Sequence, residues 1–407
     1  MTTTAVAHTG NRGAAVEISR ARAPRKAYLH NVDLIRATTF SLVIFIHCLT
    51  QTTDEISSVP VNATGLLIHV TRNTFFALTG FVLMYQNFDK ADFSAPAFWF
   101  RRIKLVLFPY LIWSFLYWAI KDMWGNGHLA DIPDSLDVFA KLVVWGTSGF
   151  HMYFLFVMVQ VYLLFPLVVW LLRATVGHHV AVLTVSFALQ VAATLIITHW
   201  RPSPEVATYW WHYYATFVPY QFFVLFGAVA AVHRDSVDRW LAGKGRWLFL
   251  ALIVTAALAV STFLWRVWGD DQRPIDASAA FQPTLLPFIV VAMTCLYAAA
   301  TYWARERRPE TPRFARAVTF ASNRSFGVFL CHVMVLFFIL RPQLDGGPAI
   351  LTIGQPWGTI VVYVATILGA VALMEVLRRL PGSVYITGRP RLPLLPDRVR
   401  ERFPRRR

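Results

Sequence analysis

The sequence predicts an all-α protein, a polytopic transmembrane helix bundle of about ten helices. Three observations carry that expectation. The 407 residues are 56% hydrophobic and only 15% charged, with a mean hydropathy of +0.49, too apolar for a soluble chain of this length. Apolar runs long enough to cross a bilayer recur near 34–51, 61–86, 98–120, 150–173, 178–199, 210–232, 246–268, 281–303, 318–340 and 354–377. With the N-terminus inside, the inside segments hold 30 Lys and Arg and the outside loops 6. That is the positive-inside bias of ten spans with both ends cytoplasmic.

Residues 1–32 are polar, rich in Ala, Thr and Arg, and lack an apolar core, so a basic, disordered cytoplasmic tail is expected there rather than a cleaved signal peptide. The first run opens with DLIRATTFSLVIFIH at 33–47 and is the expected insertion signal. The second carries Arg72, and the third follows the basic cluster FRRIK and contains Pro109. Residues 121–149 form the longest outside segment, and the spacing in DVFAKLVVWGTSGF predicts a short amphipathic helix at the outer surface. Pro166, Pro219 and Gly227 interrupt later runs, which membrane helices tolerate where neighbours re-satisfy the freed backbone groups. The membrane domain is expected over 33–380, and residues 381–407 read as a second basic, Arg- and Pro-rich cytoplasmic tail.

The 15 Trp suit interfacial belts. Cys48, Cys295 and Cys331 all fall inside apolar runs, where they read as small packed hydrophobes rather than disulfide or metal ligands. The formal charge of +16 is explained by attraction to anionic lipid headgroups, and no nucleic-acid partner is expected. Arg outnumbers Lys by 32 to 6, a bias typical of a bacterium with a GC-rich genome.

Eleven positions separate Arg36 from His47. On a helix the two side chains return to one face, about 16 Å apart along the axis. His47 then lies near the bilayer midplane and Arg36 at its cytoplasmic mouth. A neutral imidazole at that depth has a lone pair free to take a proton from a hydroxyl. Interhelical hydrogen bonding is the alternative role. Arg72 falls near the level of His47, with His69 and Phe76 on its helix face. His47, His69, His151 and His332 share no short ligand spacing and no accompanying carboxylate, so no metal is expected. His178 and His179 face the cytoplasm without an evident role. Glu375, close to Arg378 and Arg379, reads as a salt-bridge partner.

DLIRATTFSLVIFIH resembles the first-helix signature of the integral-membrane acyltransferase-3 family, in which an Arg, ten residues and a His open the domain. NTFFALTGFVL (73–83) resembles the Phe-Phe…Ser-Gly-Phe pattern of the second helix, with Thr79 in place of the serine. FRRIKLVLFPYLIWS (100–114), GFHMYFLFVMVQVYLLFP (149–166) and NRSFGVFLCH (323–332) resemble those of the third, fourth and a late helix. Five such stretches in order cover about 30 to 380. In place of the family's further basic residue after its paired arginines stands Leu105. The large esterase-like extension of some members has no counterpart in these residues.

The resemblance implies a bacterial plasma-membrane enzyme, multi-pass, that moves an acyl group from cytoplasmic acyl-CoA to a hydroxyl of an envelope glycan, glycolipid or antibiotic. Acetyl-CoA is the implied donor. A trehalose mycolate, a wall polysaccharide and a macrolide all remain open as acceptors. Arg36, Arg101, Arg102 and Lys104 would hold the CoA phosphates, unless the last three serve only as positive-inside anchors. His47 would act as the base. Arg72 would hold the thioester oxyanion or an anionic substrate group, or else serve as counterion to a buried carboxylate. His69, His151, Tyr153 and His332 are weaker candidates for substrate contact. The rival class is an exporter of an envelope glycan or glycolipid using the same bundle.

Overall fold

A computed structural model describes residues 26–126, 132–344 and 353–393, and the remaining parts of the two predicted tails lie outside the described residues. Among those residues the secondary structure is helical, with no strand. Ten helices are long and apolar enough to cross a membrane. They are α1 (His30–Thr52), α2 (Val59–Asn87), α3 (Ala95–Lys121), α4 (Tyr153–Ala174), α5 (His179–His199), α6 (Pro204–Val232), α7 (Gly245–Trp268), α8 (Pro283–Arg307), α9 (Pro312–Arg341) and α10 (Trp357–Leu377). Each corresponds to one of the ten apolar runs. The amphipathic segment predicted between α3 and α4 is a helix over Ile132–Trp145.

Two helices are broken, and both breaks face the site. In α2 the helix is interrupted at His69, between Val59–Ile68 and Val70–Asn87. In α6 a helical turn at Pro204–Trp210 gives way to 3-10 turns at Trp211–Ala215 and Val218–Tyr220 before regular helix resumes at Gln221–Val232. Pro219 accounts for part of the second break, since it has no N–H to donate to the preceding turn. The regular halves of α2 and α6 cross closely. A Cβ on Gly227 would lie 1.8 Å from the Ala77 carbonyl oxygen, and one on Gly80 would lie 2.1 Å from that of Val224. Backbone meets backbone there, a contact only glycine permits.

α1 packs against α9 and α10. Its hydroxyls bond across to α10: Ser41 to Tyr363 at 2.5 Å and Thr52 to Thr359 at 2.6 Å. Toward α9 the register is parallel, since Arg36 meets Ser322 and His47 meets His332. Alternating spans require that relation between the first and the ninth.

Beyond α10 the chain turns back. The indole N–H of Trp113 on α3 donates to the Ile386 carbonyl at 2.9 Å, and the Leu392 N–H donates to the Arg378 carbonyl at 2.7 Å. A short helix, Ser383–Thr387, is flanked by Gly382 and Gly388 in left-handed conformations, φ 74° and 64°. A Cβ on Gly388 would meet the Leu105 carbonyl at 2.8 Å, so glycine serves both the backbone angle and the approach to α3.

Candidate functional site

Two cavities lie along the α1 axis. The first, of about 250 Å3, is at the end of the bundle that carries Arg36, and Arg36, Thr79, Arg102, Tyr162, Ser325 and Arg389 supply its polar lining. Arg36 donates to the Ser322 hydroxyl at 3.2 Å, and that hydroxyl donates to buried Asp33 at 2.7 Å. The carboxylate therefore balances the guanidinium through one intervening oxygen and does not pair with it directly. Arg102 bonds the Gln86 side chain at 3.2 Å and lies near the Phe98 and Tyr162 rings. Arg101 is exposed and outside the cavity lining. Lys104 sits over the Phe100 ring, 5.6 Å from its centre, and is likewise outside the lining. Of the four cations the sequence grouped together, the structure brings Arg36 and Arg102 to one cavity.

The second cavity, of about 530 Å3, lies farther along α1, and His47, Gln51, Glu55, Asn62, His69, Arg72, His151 and Tyr153 are among the residues that line it. Three histidines from α1, α9 and the turn before α4 meet here. The His47 ring stacks on that of His332 with centroids 5.4 Å apart, and His151 lies 5.1 Å from His332. His332 is fully buried, and its Nδ1–H donates to the Phe329 carbonyl at 2.7 Å. A carbonyl can only accept, so that contact fixes the tautomer and leaves the Nε2 lone pair free. This Nε2 and both ring nitrogens of His151 are buried without a hydrogen-bond partner among the described residues. His47 alone of the three is part-exposed, and it lines the cavity together with His151.

α9 is itself modified at this point. The Tyr117 hydroxyl, from α3, donates to the Leu330 carbonyl at 2.7 Å and accepts from the Met334 N–H at 3.2 Å. It stands between the two ends of one helical turn, and His332 is in that turn. An inserted side chain of this kind bends a helix locally and fixes what the turn presents.

Arg72, on α2 just past the His69 break, is ringed by aromatics. Its guanidinium lies 4.3 Å from the Phe281 ring centre and 5.3 Å from that of Tyr220, and NH1 reaches the Tyr153 hydroxyl at 3.5 Å. Nε and NH2 are buried with no hydrogen-bond partner among the described residues, and no carboxylate there lies within salt-bridge distance. The broken segment of α6 supplies Tyr220, and His69 donates from Nε2 to the Ser278 carbonyl at 3.1 Å, tying the α2 break to the α7–α8 connection. Arg72 lines the cavity and keeps two N–H groups without a partner among the described residues, so it has donors to offer an anion or a developing oxyanion. The counterion role is not what these contacts describe.

The sequence matches the family described as an acyltransferase domain, acyltransferase-3, over residues 29–375. The chain belongs to the acyltransferase-3 family. Searches of curated proteins and of solved structures gave no match. It is thus a multi-pass membrane acyltransferase, and the bilayer is its surroundings. The acyltransferase match includes every residue of the second cavity and all of the first except Gly388 and Arg389. Arg389 was hidden in the sequence by its place in an Arg-rich tail; the signal for it was the pair of glycines around SVYIT. Tyr117 gave no signal at all. Glu375 bonds Arg324 and, at 2.8 Å, Arg379, as a salt-bridge partner would. Among the described residues no group of three or more His, Cys, Asp or Glu is arranged to hold a metal.

Proposed function

We propose that this acyltransferase moves an acyl group, most simply acetyl, from acyl-CoA to a hydroxyl of an envelope glycolipid or glycan. The observation that carries the reading is the pairing of the two cavities: three arginines line one, and the next holds a part-exposed histidine and a guanidinium with no carboxylate partner among the described residues. CoA phosphates would be held by Arg36, Arg102 and Arg389, where charge-assisted bonds to fork-shaped donors are strong. The arm carrying the thioester would extend along α1, whose rise from Arg36 to His47 is about 16 Å. The acceptor would occupy the larger cavity, where the Gln51 amide and the Glu55 carboxylate match a hydroxyl-rich molecule.

In the reaction the acceptor O–H gives its proton to His47 as the oxygen attacks the thioester carbonyl carbon. Arg72 holds the resulting oxyanion. When the C–S bond breaks, the proton on His47 passes to the leaving thiolate, and CoA departs as the thiol. His332 and His151 pack the His47 ring into place. The basic end is taken as cytoplasmic, on the Lys/Arg distribution, so the acyl group would cross the bacterial plasma membrane during transfer.

The test uses purified protein in lipid nanodiscs with labelled acetyl-CoA and envelope lipid extract. Wild type is expected to release CoA and label an acceptor, and His47→Ala to lose both. Transfer that survives His47→Ala, or glycan movement without CoA release, would reject this reading in favour of export.

A further inference from the structure

The two cavities share three lining residues, Phe75, Phe154 and Phe329. These rings and Phe40 touch in sequence around a closed circuit. Phe40 meets Phe75 at 4.8 Å between centroids, Phe75 meets Phe154 at 5.6 Å, Phe154 meets Phe329 at 5.3 Å, and Phe329 meets Phe40 at 5.7 Å. All four contacts are edge-to-face, with interplanar angles of 62° to 82°. Each ring comes from a different helix: α1, α2, α4 and α9. Edge-to-face rings at these separations are in van der Waals contact, so the circuit has no open centre.

Its position along α1 is equally informative. Phe40 stands one turn beyond Arg36 and seven residues short of His47, about 6 Å from the first and about 10 Å from the second by helical rise. Anything held by the arginines must pass this ring to reach the histidine. Phe75 and Phe329 are buried at 9% and 4% exposure, locked on both sides by core neighbours. Phe40 and Phe154 are only part-buried and border cavity space, so they are the rings with room to turn.

We infer that Phe40, Phe75, Phe154 and Phe329 form a septum that selects the acyl donor by cross-section, admitting an unbranched acyl thioester and refusing a branched one. Withdrawing a single ring vacates the width of one aromatic side chain, which accommodates a methylene chain but not a second branch beside it. The closed septum also keeps water of the donor cavity from the thioester site until the arm is in place. The selectivity part rests on the acyl-transfer reading above; the barrier itself does not.

Two measurements test it. Thr50, which lines the larger cavity, is changed to cysteine (Thr50→Cys), and membrane vesicles of both orientations are treated with the slender, impermeant 2-sulfonatoethyl methanethiosulfonate, using the chain without that change as blank. With the four rings intact, Thr50→Cys should react from one membrane face only. Adding Phe154→Ala should open reaction from the other face, at least tenfold faster, and Phe154→Leu should restore the barrier. Reaction from both faces with all four phenylalanines present overturns the septum. So does one-sided reaction that persists in Phe40→Ala, Phe154→Ala and their double variant. The second measurement compares CoA release from acetyl-CoA and isobutyryl-CoA, whose ratio should shift at least tenfold toward the branched donor in Phe154→Ala. An unchanged ratio overturns the selection. Absence of CoA release from every variant, with labelling as expected, rejects the acyl-transfer reading while the barrier stands.

Discussion

Replacing Arg72 with methionine separates the two roles a buried guanidinium can have. As counterion to a carboxylate, Arg72 would leave a stranded charge when removed, at a cost of about 3–5 kcal/mol. The structure describes the opposite situation. Burial of an ion costs several kcal/mol even after relaxation, and here the repayment is two ring contacts and one long hydrogen bond to Tyr153. Desolvated cation–π contacts return about 2 kcal/mol or more each, which at best offsets that cost. Methionine fills similar volume, has no charge to desolvate, and keeps favourable contact with Phe281 and Tyr220 through its sulfur. Arg72→Met should therefore melt at or above the wild-type temperature. Acyl transfer should nonetheless fall about 100- to 1000-fold, the usual cost of one lost oxyanion donor. Thermal melts by intrinsic fluorescence give the first number and CoA-thiol release the second. A melting point well below wild type, or activity within threefold of it, would refute the reasoning.

Five other changes are informative. Gly227→Ala should cost folded yield heavily, at or beyond the upper end of the ~1–3 kcal/mol range for overpacking, because its Cβ meets the Ala77 backbone. Gly327→Ala should cost far less, since its Cβ meets only the Met374 side chain; size-exclusion profiles in detergent compare the two. Arg389→Ala should raise KM for acyl-CoA about tenfold or more, from loss of one charge-assisted contact, and leave kcat near wild type. Tyr117→Phe should lower the melting temperature through unpaired groups at Leu330 and Met334, worth ~1–3 kcal/mol, and lower kcat more than it raises KM because His332 shifts. Burial raises the Glu55 carboxyl above its ordinary value of 4.5. The protonated form is the one the fold favours, so stability is fully present below about 4.5 and declines as pH rises through the raised value. Glu55→Gln should thus gain stability over wild type at pH 7, and the gain should vanish in melts at pH 4.

What the sequence revealed and what it hid follow from the range of the interactions involved. The ten spans were legible because bilayer thickness imposes a run length on each helix separately. The shared face of Arg36 and His47 was legible because both belong to one helix, and α9 carries the partner of each. His332 could be named as a candidate, yet its stacking on His47 depends on the parallel register of α1 and α9, which periodicity does not encode. Arg101 and Lys104 are the instructive cases. They flank Arg102 in sequence, but successive residues on a helix diverge by about 100°, so a basic cluster cannot aim all its charges at one cavity. Arg389 takes the place they leave, delivered by a chain reversal that two left-handed glycines permit.

The site holds residues that look costly in isolation. Among the described residues Arg72 has no carboxylate and His151 no hydrogen-bond partner, and both lower stability where they stand. The surrounding bundle offsets that cost with close contacts such as the α2–α6 crossing, whose glycines bring two backbones together directly beneath the Arg72 segment. A carboxylate introduced beside the guanidinium would satisfy its donors and strengthen the fold, and it would also occupy the position a developing oxyanion needs. Phe281 and Tyr220 hold the cation through their rings instead, which occupies none of its N–H donors.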